Sequence, residues 1–331
     1  MMVPGFSDSV FRISNGTEFD SLALEIFRYQ FAGNPVYKSY ATLIGKTPDK
    51  VRSVEDIPFL PIELFKKHRI VTGNGNDEKV FESSGTTGNE TSRHHVTDLG
   101  LYRKSFTSAF RIFYGDPGDY FFAALLPSYL ERDNSSLVYM ADNLIRSSPD
   151  KRSSFYLDDL GALTKILGEV KKEKKKAMLI GVSFALLDLA EKHSPDLEGL
   201  IVVETGGMKG RRREISRNEL HDRLKNAFNI SAVHSEYGMT ELMSQAWSYG
   251  DGLFKTPPWM RIILRELNDP LAVSRQHGTT GGINIIDLAN INSCSFIATG
   301  DMGRLHKDGS FEVLGRLTNS DLRGCNMLIE G

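Results

Sequence analysis

The chain has 331 residues, a formal net charge of −2, 40% hydrophobic residues and 25% charged residues. That length exceeds what one core normally holds, so one large domain built of subdomains, or two domains, is expected. The near-neutral charge argues against a general nucleic-acid binder, no apolar run is long enough for a membrane span, and the two cysteines, Cys294 and Cys325, make no disulfide framework.

The first residues carry no basic segment ahead of an apolar core, so no signal peptide is read and the cytoplasm is the expected compartment. Residues 17–32 place Phe19, Leu22, Ile26 and Phe27 at helical spacing, and Gly33, Asn34 and Pro35 end that helix. Residues 36–45 read as a second helix, 54–62 as an extended segment because of Pro58 and Pro61, and 63–68 as a short helix. Helices are expected over 99–113, 135–145, 158–172, 184–193 and 213–228. Between them 119–126, 177–182, 200–204 and 231–236 read as strands, mostly apolar along their length. Such alternation predicts an α/β fold with a mainly parallel sheet covered by helices on both faces. Beyond residue 250 short strands at 261–267, 282–287, 295–299 and 311–314 point to a small β-rich subdomain. The expected division is 1–250 and 251–331.

Five segments carry chemistry. The run Ser83-Ser84-Gly85-Thr86-Thr87-Gly88 offers four hydroxyls, two glycines and backbone N–H groups, which suits polyphosphate oxygens and equally an ordinary turn. Gly206 and Gly207 follow a buried strand and let a flat ring or a phosphate approach the backbone. In His234-Ser235-Glu236-Tyr237-Gly238-Met239-Thr240-Glu241, Tyr237 suits a base, Thr240 a phosphate and Glu241 a hard cation. His234 reads as a proton shuttle or as a packed structural histidine. In Thr299-Gly300-Asp301 the acid after a strand suits the hydroxyls of a ribose, and Gly-Asp also suits a hairpin turn. Arg316, after Gly315, suits a phosphate or carboxylate clamp, as does Arg323. Phe121, Phe122 and Met239 either line an apolar pocket or belong to the core.

In order and spacing these segments resemble the adenylate-forming superfamily. Residues 83–88 resemble its phosphate loop, Tyr237 to Glu241 its Y-G-x-T-E motif, Thr299 to Asp301 its T-G-D motif, and Gly315-Arg316 its hinge. Asn34-Pro35-Val36-Tyr37, Ile57-Pro58-Phe59-Leu60-Pro61 and the segment from His234 are similar to the acyl-protein synthetase (LuxE-type) family, with phenylacetate-CoA ligase-like enzymes next. The resemblance implies the fold of the superfamily's N-terminal part, without its mobile C-terminal domain. It implies activation of a carboxylic acid, in this family a fatty acid, by ATP and Mg²⁺ as an acyl-adenylate. Ser83, Ser84, Gly85, Thr86, Thr87 and Gly88 would hold the β- and γ-phosphates. Gly206, Gly207 and Tyr237 would hold the adenine, Asp301 the ribose, with Arg316 nearby, Thr240 the α-phosphate and Glu241 the Mg²⁺. Cys325 matches the family's acyl-accepting cysteine, from which the acyl group passes to a partner reductase. An acyl- or aryl-CoA ligase using CoA as acceptor, and a non-catalytic nucleotide-binding subunit of the same fold, are the alternatives.

Two further features are specific to this chain. Asn89-Glu90 follow the small-residue run where the superfamily has a basic end, so the positive charge must come from Mg²⁺ or from an arginine elsewhere. The run Lys209-Gly210-Arg211-Arg212-Arg213 reads as a solvated helix start, or as a dock for an acidic carrier protein or a phosphorylated acceptor.

Overall fold

The computed structural model describes residues 5–83, 91–126, 134–157, 159–206, 213, 215–274 and 277–317. The helix Gly16–Gly33 starts where the Asn15 side chain accepts from the Glu18 N–H, and Asn34 caps the next helix, Pro35–Leu43, by accepting from the Tyr37 N–H. A short strand β1 (Leu60–Pro61) follows, then the hairpin of β2 (Lys79–Glu82) and β3 (Arg93–Val96).

The first large sheet contains β4 (Phe121–Leu125), β5 (Ser154–Phe155), β6 (Ala177–Gly181), β7 (Ile201–Thr205), β8 (His234–Tyr237) and β9 (Ala246–Ser248), in the order β5-β4-β6-β7-β8-β9. All its pairs are parallel except β8 with β9. Each of β4 and β6 is buried at every residue, because helices cover both faces. Phe122, Met178, Ile180 and Val203 face one core together with Phe106 and Phe110 of the helix Leu99–Tyr114. Phe121, Ala177, Leu179 and Val202 face the other, under the helices Leu160–Lys172, Ser183–Lys192 and Arg217–Phe228. Phe121 and Phe122 are thus core residues on opposite faces of one strand, each 1% exposed. The last helix starts at Arg217 rather than near 213, because Ser216 caps it by accepting from the Glu219 N–H.

The second sheet contains β10 (Met260–Arg265), β11 (Val273–Ser274), β12 (Thr280–Asp287), β13 (Phe296–Leu305) and β14 (Phe311–Arg316), with β1 on one edge in the order β1-β13-β12-β10-β11. One edge of β13 changes partner along its length: β1 runs parallel to it at Ile297 and Ala298, and β14 antiparallel from Asp301 onward. On the opposite edge, Ala298 pairs with Asn284 and Met302 with Gly282, so three residues bulge opposite Ile283 alone. Those three are Thr299, Gly300 and Asp301. The motif therefore lies in the middle of a ten-residue strand, neither after a strand nor in a hairpin turn as the Gly-Asp pair suggests.

Candidate active site

The C-terminal ends of β7 and β8 lie side by side, since Thr205 pairs with Glu236. Gly206 follows β7 with φ +20°, and a Cβ added there would meet nothing within 4 Å, so the backbone is open to an approaching group. Tyr237 ends β8. Its ring packs against Phe254 and Phe311, with centroids 5.7 and 5.5 Å away, and its hydroxyl donates to Asp301 Oδ2 at 2.9 Å. Burial, with the Asp301 charge, raises the Tyr237 pKa well above the usual tyrosine value. The phenol therefore acts as a donor that holds Asp301. A Cβ at Gly238 would lie 2.3 Å from Glu236 Oε1, so any larger residue there requires the Glu236 side chain to move.

The bulge fixes the backbone of Asp301. Its N–H donates to Thr299 Oγ1 at 3.1 Å, and that hydroxyl donates to the Ile283 carbonyl at 2.9 Å. Arg316 Nε lies 3.2 Å from Asp301 Oδ1; Arg316 pairs with Asp301 in the β13–β14 register, while its own side chain is 83% exposed. The Asp301 carboxylate is thus fixed in place and screened on one side only by an exposed arginine. Beside it, a Cβ added at Gly300 would meet only Arg316 Nη1, at 3.8 Å.

A second group forms where the β2–β3 hairpin sits on the loop after β8. The Ser83 N–H donates to the Ser92 carbonyl at 3.0 Å, and the Ser92 N–H donates to Ser83 Oγ at 2.9 Å. Ser92 is hydrogen-bonded to the carboxylate of Glu241, which is 4% exposed and whose pKa burial raises. His94 Nδ1 donates to the Thr240 carbonyl at 2.8 Å, and Asn290 Nδ2 to the Glu241 carbonyl at 2.8 Å. Burial pushes the His94 imidazole down to about 4, so it is neutral at pH 7 and keeps its Nδ1 proton for that carbonyl. Asp287, fully buried, accepts from the Met243 N–H at 2.8 Å, the Ser244 N–H at 2.9 Å and Ser244 Oγ at 2.7 Å. The loop bearing Thr240 and Glu241 is therefore pinned at those residues and just after them. The Arg316 charge reaches both groups, bearing on Tyr237 and on Glu241.

Of the residues singled out from sequence, Ser83, Gly206, Tyr237, Thr240, Glu241, Asp301 and Arg316 fall on these adjoining segments. His234 does not join them. It starts β8, stacks on Tyr114 with centroids 5.8 Å apart, and shares a 3.1 Å hydrogen bond with the Tyr114 hydroxyl. Burial lowers its pKa, and its contacts are those of a packed histidine apart from these segments. Ser84, Gly85, Thr86, Thr87, Gly88, Gly207, Arg323 and Cys325 lie outside the described residues. Cys294 is buried in the core, where burial pushes its thiol up to about 12. Sequence reasoning missed His94, Asp287 and Asn290. A lone histidine, aspartate or asparagine in a strand or turn has no local signature, and each acts through a partner far along the chain. Among the described residues no group of three or more metal-ligating side chains comes together, so Glu241 stands as a single carboxylate.

No family model matches the chain. It is 23% identical over 335 residues to the long-chain-fatty-acid–luciferin-component ligase of Aliivibrio fischeri, covering 92% of this chain and 86% of that protein. A 68-residue stretch is 37% identical to the ligase of the same name from Photorhabdus luminescens, covering 20% of this chain and 58% of that protein. Among solved structures, ATP-bound MatB of Rhodopseudomonas palustris matches with a TM-score of 0.55 at 17% identity, over 73% of this chain and 49% of that one. The o-succinylbenzoate coenzyme A synthetase MenE of Bacillus subtilis, solved with ATP and a magnesium ion, matches with a TM-score of 0.50 at 18% identity, over 72% of this chain and 49% of that one. The chain spans about half the length of these two solved structures. It therefore has the fold of the N-terminal part of the adenylate-forming enzymes, and along 92% of its length it is similar to the long-chain-fatty-acid–luciferin-component ligase of Aliivibrio fischeri.

Proposed function

We propose that this chain activates a carboxylic acid, in the first place a fatty acid, with ATP and Mg²⁺ as an acyl-adenylate, and passes the acyl group to a thiol. The observation that carries this reading is Asp301: a carboxylate held by Tyr237 and Arg316, in a strand bulge that is open at Gly300. Two fixed carboxylate oxygens beside an open glycine suit the paired hydroxyls of a ribose. Gly206 and Gly207 would border the adenine. Tyr237, with its ring packed by Phe254 and Phe311, would serve the nucleotide chiefly by holding Asp301.

Thr240 would contact the α-phosphate. Ser83, Ser84, Gly85, Thr86, Thr87 and Gly88 would receive the β- and γ-phosphates through hydroxyls and backbone N–H groups. Glu241 would hold Mg²⁺; one carboxylate suits an ion that keeps waters and takes phosphate oxygens. When bound, that ion supplies the charge neutralisation that the Asn89-Glu90 end of the loop lacks, and Arg316 adds to it. In-line displacement at the α-phosphorus requires no protein nucleophile, so the residues act by positioning and by electrostatics.

The acyl acceptor on this reading is Cys325, which would pass the group to a partner protein such as a reductase. Cys294 is unsuited, since a thiol pushed up to about 12 inside the core supplies almost no thiolate. The test is incubation of the protein with ATP, Mg²⁺ and labelled long-chain fatty acid, with and without CoA. Label bound covalently to the protein without CoA, and lost in Cys325→Ala, is the expected result. Label that appears only on CoA and survives Cys325→Ala would make the protein an acyl-CoA ligase instead.

A further inference from the structure

Arg265, at the end of β10, lies two strands away from Asp301, and the reading of the site above gives it no role. Its guanidinium Nη1 donates to the Ile283 carbonyl and to Asn284 Oδ1, each at 2.8 Å, and its Nη2 donates to the Thr299 carbonyl at 2.5 Å. The Ile283 carbonyl is the one that Thr299 Oγ1 also meets, and Thr299 Oγ1 is the acceptor for the Asp301 N–H. One planar fork thus bridges β12 and β13 at the bulge and fixes the backbone from which the Asp301 carboxylate projects.

The guanidinium lies over Gly282, where an added Cβ would lie 2.6 Å from Arg265 Cζ and 2.8 Å from Nε. The guanidinium is partly buried, yet its contacts among the described residues are carbonyl and amide oxygens rather than a carboxylate. The Asp301 and Glu63 charges act on it from further away. Its fork geometry is used entirely to hold the bulge.

From this we infer that Arg265 is a positioning residue for nucleotide recognition: through Ile283 and Thr299 it sets the Asp301 carboxylate at the place where it meets the hydroxyls of a ribose. The inference rests on the ribose reading of Asp301 given above. It makes Gly282 part of the same device, and it assigns Arg265 no contact with the nucleotide.

The test compares equilibrium binding of ATP and of 2′,3′-dideoxy-ATP by calorimetry, in the wild type and in Arg265→Met, Arg265→Lys and Gly282→Ala. The ratio of the two dissociation constants reports the ribose hydroxyls alone, and a general loss of stability does not change it. The wild type is expected to prefer ATP by about tenfold, which corresponds to about 1.4 kcal/mol. Arg265→Met is expected to bring the ratio close to one, with Arg265→Lys in between. Gly282→Ala keeps the charge and displaces the guanidinium, and is expected to follow Arg265→Met. A preference retained in Arg265→Met and Gly282→Ala but lost in Asp301→Ala would overturn the positioning role alone. A preference retained in Asp301→Ala as well would overturn it together with the ribose reading beneath it.

Discussion

Glu236 shows how one partly buried group ties the site to pH. Thr205 Oγ1 donates to it at 2.8 Å, and burial, helped by the nearby Glu204 charge, pushes its carboxyl up to about 7. A carboxyl whose folded pKa lies above its unfolded value of 4.5 binds its proton more tightly in the folded state. Its contribution is therefore fully present below pH 4.5 and is lost as the pH rises toward 7. Glu236→Gln keeps an acceptor for Thr205 and fixes the neutral form. The variant should be more stable than the wild type at pH 8 by on the order of 1–3 kcal/mol, with the gap closing near pH 5. Thermal unfolding across that range measures it; a variant less stable at pH 8 would mean that the site keeps Glu236 charged by a contact not accounted for here. Residue types alone hold part of this picture. Tyr237, Thr240, Glu241, Asp301 and Arg316 stand out because they fall in spaced motifs, whereas His94 and Arg265 act on backbone carbonyls, which have no signature in a sequence.

The elements that form the site are ordinary, and their ends and irregularities do the placing. Asp287 ends β12 and collects the Met243 and Ser244 N–H groups and the Ser244 hydroxyl, so the loop after β8 is fastened to the second sheet. Burial pushes this carboxyl up to about 6, so its hydrogen bonds offset only part of its desolvation. Asp287→Ala leaves buried donors without an acceptor, and should cost roughly 3 kcal/mol of stability in urea unfolding. It should also weaken nucleotide binding, because Thr240 and Glu241 lie just ahead of the freed segment. A loss of stability with unchanged ATP affinity would detach the loop anchor from the site. Periodicity carries most elements well: the helices Gly16–Gly33 and Leu99–Tyr114 and the strands β4 and β6 lie where apolar spacing puts them. It does not carry the bulge at Thr299, Gly300 and Asp301. Gly-Asp locally favours a turn, and only pairing with β12, β1 and β14 draws those residues into one long strand. The strand β3 escapes for a related reason, since Arg-His-His-Val shows no apolar alternation to mark it.

At the scale of the molecule, two sheets of different construction meet at one place. Arg217 joins them: its Nε lies 3.6 Å from Glu204 at the end of β7, its Nη1 donates to the Val313 carbonyl of β14 at 3.4 Å, and its guanidinium lies 5.0 Å from the Phe254 ring centroid. Burial opposes the charge of Glu204, but the His221 contact and the Arg217 charge outweigh it and hold its pKa low. The same Phe254 packs on Tyr237, so the joint between the sheets and the holder of Asp301 share a wall. The change from fully apolar strands to short Gly- and Asp-bounded strands near residue 250 is visible in the sequence. That β1, from the first fifth of the chain, supplies an edge of the later sheet is not, because a two-residue strand has no pattern of its own. The central claim is that this meeting point binds ATP so that a carboxylic acid can displace pyrophosphate at the α-phosphorus. Exchange of labelled pyrophosphate into ATP, measured with Mg²⁺ over a panel of fatty and aromatic acids, tests it most directly. The account predicts exchange that depends on the added acid, is strongest with a fatty acid and drops sharply in Asp301→Ala; no exchange with any acid, in a protein that still binds ATP, would contradict it.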